Sequence, residues 1–129
     1  MSQIDPLDQL FVSESQAVDK QELADLLLPY VSINKESKEF DFSQAFRDLT
    51  NIDKIFILLS AIKARSLVLK TDEKISPSDI IKMEIMPEGS TKGALKLLLD
   101  SNEIKSEKGK YYLPNYKIPQ VVKRFKNNK

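Results

Sequence analysis

The side chains with the clearest chemical potential lie between Gly89 and Gly93, where the sequence reads Gly-Ser-Thr-Lys-Gly. We predict that Ser90 caps a helix that begins at Thr91, because a serine hydroxyl satisfies the free N–H groups of a first turn. Ser90, Thr91 and Lys92 at this N-terminus could hold one phosphate, since the N–H groups and the helix dipole favour anions. The spaced Gly-x-x-x-x-Gly-Lys pattern of a nucleotide-binding loop is absent. The predicted chemistry is therefore phosphate binding.

Catalytic chemistry is poorly represented in the rest of the chain. None of its 129 residues is histidine or cysteine, which removes the commonest general base, the thiol nucleophile and the commonest metal ligands. Neighbouring carboxylates, such as Asp72 with Glu73 or Glu36 with Glu39, lie in polar segments where they are solvated. We therefore predict no enzyme, no metal site and no cofactor.

Charge is distributed unevenly along the chain. Residues 1–50 contain 4 basic and 10 acidic residues (net −6), residues 51–86 contain 6 and 5 (net +1), and residues 87–129 contain 10 and 4 (net +6). A cationic segment suits a polyanionic partner, because neutralising phosphates supplies most nonspecific affinity for nucleic acid. The alternative is a lysine-rich surface that serves solubility alone.

Three helices and a hairpin must position the predicted phosphate-binding residues. Residues 52–69 are apolar nearly all round and predict a central core helix, with Lys63 and Arg65 on its polar strip. Ser76 and Pro77 begin a second helix, and residues 85–89 form a turn before the third. In the third helix Ala94, Leu95, Leu98 and Leu99 recur at helical spacing and predict a buried face, which leaves Thr91, Lys92 and Lys96 towards solvent. Ile104 opens a strand, residues 107–110 form a turn, and Tyr111 to Leu113 return as a second strand.

This order, a helix with a basic outer face followed by a basic hairpin, resembles the recognition helix and wing of winged helix-turn-helix domains. The residues that carry the resemblance are Gly89 and Ser90, Leu95, Leu98 and Leu99, Ile104, and Gly109 to Tyr112. It implies that the helix enters a DNA major groove and that the wing contacts the flanking backbone. The DNA-binding residues it implies are Ser90, Thr91, Lys92, Lys96, Lys105, Lys108 and Lys110. No Arg, Asn or Gln occurs from Thr91 to Ser101, so little direct base reading is expected.

The sequence before this unit predicts a tail and an extension. Residues 1–18 are interpreted as a flexible tail, in which Leu7, Leu10 and Phe11 alternatively form a short docking segment. Residues 19–50 are predicted to hold a helix capped by Asp19, a β-hairpin from two alternating runs at residues 30–33 and 40–42, and a short helix that buries Phe46. The hairpin must pack on the preceding helix or on a second copy, since an isolated hairpin is only marginally stable.

Residues 51–129 are predicted to form the winged-helix domain, which closes with a C-terminal helix after Ile118 and Pro119. Val121, Val122 and Phe125 recur at helical spacing in this last segment. They pack either on the domain or across a dimer.

We conclude from the sequence that the chain is mainly α with small β elements, an α+β winged helix with an N-terminal extension and a C-terminal helix. The predicted function is double-stranded DNA binding, as a transcriptional regulator or chromosome-associated factor. The alternative is a winged-helix protein-interaction module within a larger assembly. A homodimer or a protein partner could use the N-terminal hairpin or the C-terminal helix. The lack of a signal peptide and of a long apolar run predicts a cytoplasmic protein without a membrane partner.

Overall fold

The computed structural model describes residues 6–11 and 17–127, with the side chains of Gln9 and Asn127 left out. The predicted flexible tail, residues 1–18, therefore lies largely outside the described residues. A 3₁₀ helix, Pro6–Leu10, precedes the main body.

The described residues are mainly helical with two small antiparallel hairpins, which agrees with the predicted α+β class. The helices are α1 (Lys20–Leu27), α2 (Gln44–Arg47), α3 (Asn51–Leu69), α4 (Pro77–Lys82), α5 (Glu88–Asp100) and α6 (Ile118–Asn127); the strands are β1 (Val31–Ile33), β2 (Phe40–Phe42), β3 (Lys105–Glu107) and β4 (Lys110–Tyr112).

Helix α3 is the centre of the core, as its apolar composition predicted. The backbone N–H of Asp53 donates to the Thr50 hydroxyl at 3.2 Å, which caps the first turn. Every residue from Ile55 to Ile62 is buried, and α3 contacts α1, α2, α5 and β4. The prediction that Lys63 lies on a polar strip was wrong: only 3 % of this residue is exposed, and its ammonium group forms an ion pair with Glu73.

The N-terminal extension forms the predicted elements. Asp19 caps α1 by accepting the Glu22 N–H at 3.1 Å, and β1 pairs with β2 so that Val31 lies opposite Phe42. The Phe42 ring stacks on Phe46 of α2 with centroids 4.2 Å apart. The guanidinium of Arg65 in α3 lies 4.4 Å from the centroid of Phe40. The hairpin therefore packs on α2 and α3 of its own chain. The sequence analysis had named neither of these helices as its packing partner.

Helices α4 and α5 pack against each other across a short turn. Ser76 caps α4 by accepting the Asp79 N–H at 3.2 Å, and Pro77 is its first residue, as predicted. Helix α5 is followed by a left-handed residue, Asn102, at φ 63°. The N–H groups of Asn102 and Glu103 donate to Leu99 O and Leu98 O, both at 3.0 Å. This pattern is a Schellman motif, which satisfies carbonyls that the helix end would otherwise leave without donors.

The β3–β4 hairpin follows α5 directly. Lys108 and Gly109 have φ of 52° and 78°, so both central residues of this two-residue turn adopt the left-handed conformation that a tight hairpin requires. Ile75, in the connection between α3 and α4, forms a β-bridge with Tyr111. The two backbone hydrogen bonds measure 2.9 and 2.7 Å. This bridge fixes the hairpin to the segment before α4.

Helix α6 packs on its own chain. Val121 and Val122 are buried, and the Phe125 ring makes an edge contact with Tyr30 at a centroid separation of 5.7 Å. The structure therefore uses this apolar face within the chain, where α6 contacts α1 of the N-terminal extension. Within residues 6–11 and 17–127, no helix has the length and apolar character needed to cross a bilayer.

Candidate nucleic-acid interface

The outer face of α5 is set by the side chains that anchor its inner face. Ala94, Leu95 and Leu98 are buried against the core, so the opposite side of a 3.6-residue period must face outwards. The exposed positions are Glu88, Gly89, Lys92, Gly93, Lys96, Leu97 and Asp100. A Cβ placed on Gly89 or Gly93 would meet no atom within 4 Å. Gly89 and Gly93 therefore expose backbone on this face, beside the exposed side chains of Glu88 and Lys92.

Ser90 is not the helix cap. Helix α5 begins at Glu88 with Pro87 as its N-cap, and the Thr91 N–H donates to Pro87 O at 3.0 Å as the first helical bond. Proline fits this position because its ring fixes φ near the required value, and Glu88 complements the positive end of the helix dipole. Ser90 instead lies inside the first turn, partly exposed.

Thr91 does not face solvent. It is fully buried, and its hydroxyl donates to Pro87 O at 3.3 Å. The sequence contained this signal, since Thr91 lies three, four and seven residues before Ala94, Leu95 and Leu98 and so falls on their stripe. Thr91 is therefore removed from the set of surface residues that could contact DNA.

Lys92 and Lys96 lie on the outer face, as predicted, and each has an acidic neighbour one turn away. Lys92 Nζ is 3.6 Å from Glu88, with both side chains more than 60 % exposed. Lys96 Nζ is 3.1 Å from Asp100. The charges of these four residues therefore sum to zero, although residues 87–129 as a whole carry a net charge of +6.

The three predicted hairpin lysines occupy different positions. Lys108 is exposed in the turn. Lys110 is 3.4 Å from Asp72, and the Lys105 ammonium lies 5.4 Å from the centroid of the Tyr116 ring. The structure thus gathers these lysines on one hairpin, whereas Lys92 and Lys96 share the outer face of α5.

Lys74 is a cation at the base of the hairpin that sequence reasoning missed. Its ammonium donates to Glu107 at 2.9 Å and lies 5.4 Å from the centroid of Tyr112. The bond from Lys74 lowers the pKa of Glu107, and the same bond raises the pKa of Lys74. The Ile75–Tyr111 bridge lies next to Lys74 and brings it to the hairpin, and sequence spacing gave no signal for this contact.

Asp72 forms a second contact between this connection and the hairpin. Its carboxylate accepts the backbone N–H of Lys74 at 3.0 Å. This hydrogen bond is the main cause of its lowered pKa, and Lys110 adds to the effect. Asp72 and Glu107 therefore place two negative charges among the cations of the hairpin.

The described residues contain no group of three or more acidic side chains placed to hold a metal ion. No protein-family profile matches the sequence, and no curated protein or solved structure is significantly similar to it.

Proposed function

We propose that α4, α5 and the β3–β4 hairpin form a winged-helix unit that binds double-stranded DNA. The observation that carries this proposal is the exposed outer face of α5, with Lys92 and Lys96, followed directly by a hairpin with three lysines. A helix of this kind fits a major groove, and a hairpin beside it reaches the flanking phosphates. The biological role we propose is transcriptional regulation or chromosome association.

The ion pairs on α5 are compatible with this role. Both pairs are highly exposed, and exposed pairs stabilise a protein by only about 0.2–1 kcal/mol. A DNA phosphate can therefore replace Glu88 or Asp100 as the partner of the lysine at small cost. Glu88 and Asp100 do remain close to the phosphates, so the affinity should be modest.

The expected mode of binding is contact with the DNA backbone. The outer face of α5 offers lysine, glycine, leucine and two acids, Glu88 and Asp100, and lysine is the one side-chain type on it that pairs bidentately with guanine. The bare backbone at Gly89 and Gly93 allows close approach of a sugar-phosphate strand. We therefore propose weak sequence preference and strong dependence on shape and charge.

The test is fluorescence anisotropy of a labelled random-sequence duplex with the purified full chain at low salt. The double variant Lys92→Ala/Lys96→Ala should weaken binding by about tenfold, since two phosphate contacts are lost. The matched control, Lys20→Ala/Lys35→Ala, removes the same charge from exposed positions on the N-terminal extension and should bind like the parent chain. Equal losses in the two variants would reduce the effect to net charge and reject the proposed surface.

A second candidate function is a protein-interaction module, which the 3₁₀ helix near the N-terminus favours. Leu7, Leu10 and Phe11 are 62 %, 76 % and 76 % exposed. Three large apolar side chains within five residues form a surface suited to docking on another chain. Absence of salt-dependent DNA binding, together with a complex that Leu10→Ser/Phe11→Ser abolishes, would favour this function over the first.

A further inference from the structure

A cleft of about 390 Å³ lies between the β1–β2 hairpin and α4, away from the outer face of α5. Its size lies within the range of small-molecule sites. Phe40, Phe42 and Met83 provide apolar walls, and the charged lining consists of three cations, Arg47, Arg65 and Lys82, and two acids, Glu39 and Asp41. The cleft thus combines apolar surface with a net charge of +1.

Arg65 is the most constrained of these cations. Its guanidinium lies over the Phe40 ring at 4.4 Å from the centroid, and Nη1 donates to Lys38 O at 2.8 Å. Its Nε is buried and has no acceptor within the described part of the chain. Burial also lowers the pKa of Arg65, because the surroundings withdraw water from the cation without supplying a carboxylate. Among the described contacts, this guanidinium therefore has one protein acceptor, Lys38 O, for its five N–H donors.

The cations of the cleft differ from those near α5 in their pairing. Lys92, Lys96 and Lys110 each have a carboxylate within 4 Å. Among the ion pairs of residues 6–11 and 17–127, none includes Arg47, Arg65 or Lys82. Three cations around one cleft repel each other unless an anion lies between them.

The nearby acids do not fill this role. Asp41 lines the cleft, but it lies between Phe40 and Phe42 on β2, and because side chains alternate along a strand we expect its carboxylate on the sheet face opposite the two rings. Glu39 is exposed and precedes the strand, and it forms no ion pair with the three cations among the described contacts. The side of the cleft formed by Phe40, Phe42 and Arg65 is consequently apolar and cationic.

We propose that this cleft binds a small organic oxyanion, a carboxylate or phosphate carried on an apolar group. Arg65, Arg47 and Lys82 take the oxyanion, and Phe42 and Met83 contact the apolar group. Arginine suits the central position because its planar fork pairs with two oxygens at once. This site does not depend on DNA binding by α5.

The test is an NMR titration of the ¹⁵N-labelled full chain with phenyl phosphate, up to about 10 mM, because one oxyanion and one ring support affinities of about 1 mM. We expect saturable shifts at the amides of Phe40, Arg65 and Met83. Inorganic phosphate, which has the charge alone, and phenol, which has the ring alone, should each bind at least tenfold more weakly. Shifts of equal size with inorganic phosphate would identify nonspecific anion binding and overturn the proposal.

Two double variants test whether phenyl phosphate binds in the cleft. Arg47 and Lys82 are exposed, so Arg47→Gln/Lys82→Gln should fold normally and weaken phenyl phosphate binding about tenfold. Lys35→Gln/Lys70→Gln removes the same charge from exposed positions that do not line the cleft and should leave the affinity unchanged. An unaltered affinity in the first variant, or an equal loss in the second, would show that the cleft is not the site.

Discussion

Lys63 and Glu73 form the most deeply buried ion pair among the described residues, with side-chain exposures of 4 % and 37 %. A charge removed from water is tolerated when it is paired, and removal of one partner leaves the other uncompensated. This residue pair therefore links the C-terminal half of α3 to the connection that precedes α4.

Glu73→Gln should lower the free energy of unfolding by about 2 kcal/mol, because it leaves the Lys63 ammonium buried without a carboxylate. The expected loss is below that of a fully buried pair, since Glu73 retains access to water. Urea denaturation monitored by circular dichroism measures it. Glu88→Gln breaks an exposed pair with Lys92 and serves as the control, with an expected change below about 0.5 kcal/mol. A change of that small size in Glu73→Gln as well would show that the Lys63 pair is fully solvated.

A substitution at Thr91 tests whether this residue stabilises the fold or contacts DNA. Thr91→Val keeps the shape but removes the hydroxyl that donates to Pro87 O, so the free energy of unfolding should fall by about 1 kcal/mol. DNA affinity, measured by anisotropy under conditions where the variant is folded, should equal that of the parent chain. Reduced affinity with unchanged stability would place Thr91 at the interface and contradict its burial.

At the scale of a single element, α5 carries two glycines that its own packing does not require. Gly93→Ala should raise the free energy of unfolding by about 0.5–1 kcal/mol, because alanine favours a helix over glycine and its Cβ meets no atom within 4 Å. Thermal denaturation is the measurement. A stability loss would mean that Gly93 is packed against another part of the chain, which would contradict the open space around it.

Gly93→Leu extends the same argument to function. A long side chain on the outer face should preserve the helix and block close approach of DNA, so affinity should fall while stability is retained. Ala24→Leu, at an exposed position of α1, is the matched control and should bind DNA normally. Retained binding in Gly93→Leu would exclude the middle of the outer face of α5 from the interface.

The β3–β4 hairpin should respond to acid before the core does. The pKa values of Glu107 and Asp72 are lowered in the folded chain, so their contributions are present above the unfolded values of about 4.5 and 3.8 and disappear as pH falls through the folded values. The raised pKa of Lys74 matters at alkaline pH. Its contribution to stability is lost only as pH rises beyond the ordinary lysine pKa of 10.5. Between these limits the hairpin contacts should not change with pH.

Amide hydrogen exchange of the hairpin from pH 6 to pH 3, corrected for the intrinsic exchange rate, measures this response. Protection at Lys105 to Tyr112 should decrease below about pH 4, whereas protection in α3 persists. Glu107→Gln/Asp72→Asn should abolish the pH dependence. Parallel loss of protection in the hairpin and in α3 would show that acid unfolds the chain as one unit.

For the molecule as a whole, the number of lysines that can contact phosphates limits how steeply DNA affinity can fall with salt. If Lys92, Lys96, Lys105, Lys108 and Lys110 all contact phosphates, the plot of log affinity against log salt should have a slope no steeper than about −4.5, at about −0.9 per contact. Lys92→Ala/Lys96→Ala should make the slope shallower by about 1.8. A much steeper slope would require further cations, of which Lys117, seven residues after Lys110, is the nearest in sequence.

Many local elements were predictable because their signals are local. The cap at Ser76, the cap at Asp19 and the apolar run of α3 each specify structure through neighbours a few residues away, and all three agree with the structure. The start of α5 was predictable in principle from Pro87 and Glu88, and the error arose because Ser90 offered an alternative cap. The charge cancellation on α5 was likewise encoded, as acid and lysine four residues apart.

Contacts across long separations were decided only by the tertiary structure. The sequence by itself determined the α+β class, most helices and both hairpins, because periodicity and capping act within a few residues. Folding decided that Lys63 is buried beside Glu73, that Ile75 joins Tyr111, and that Arg65 lies over Phe40. These contacts depend on how the helices pack around α3, and packing is a property of the whole chain that no short segment contains.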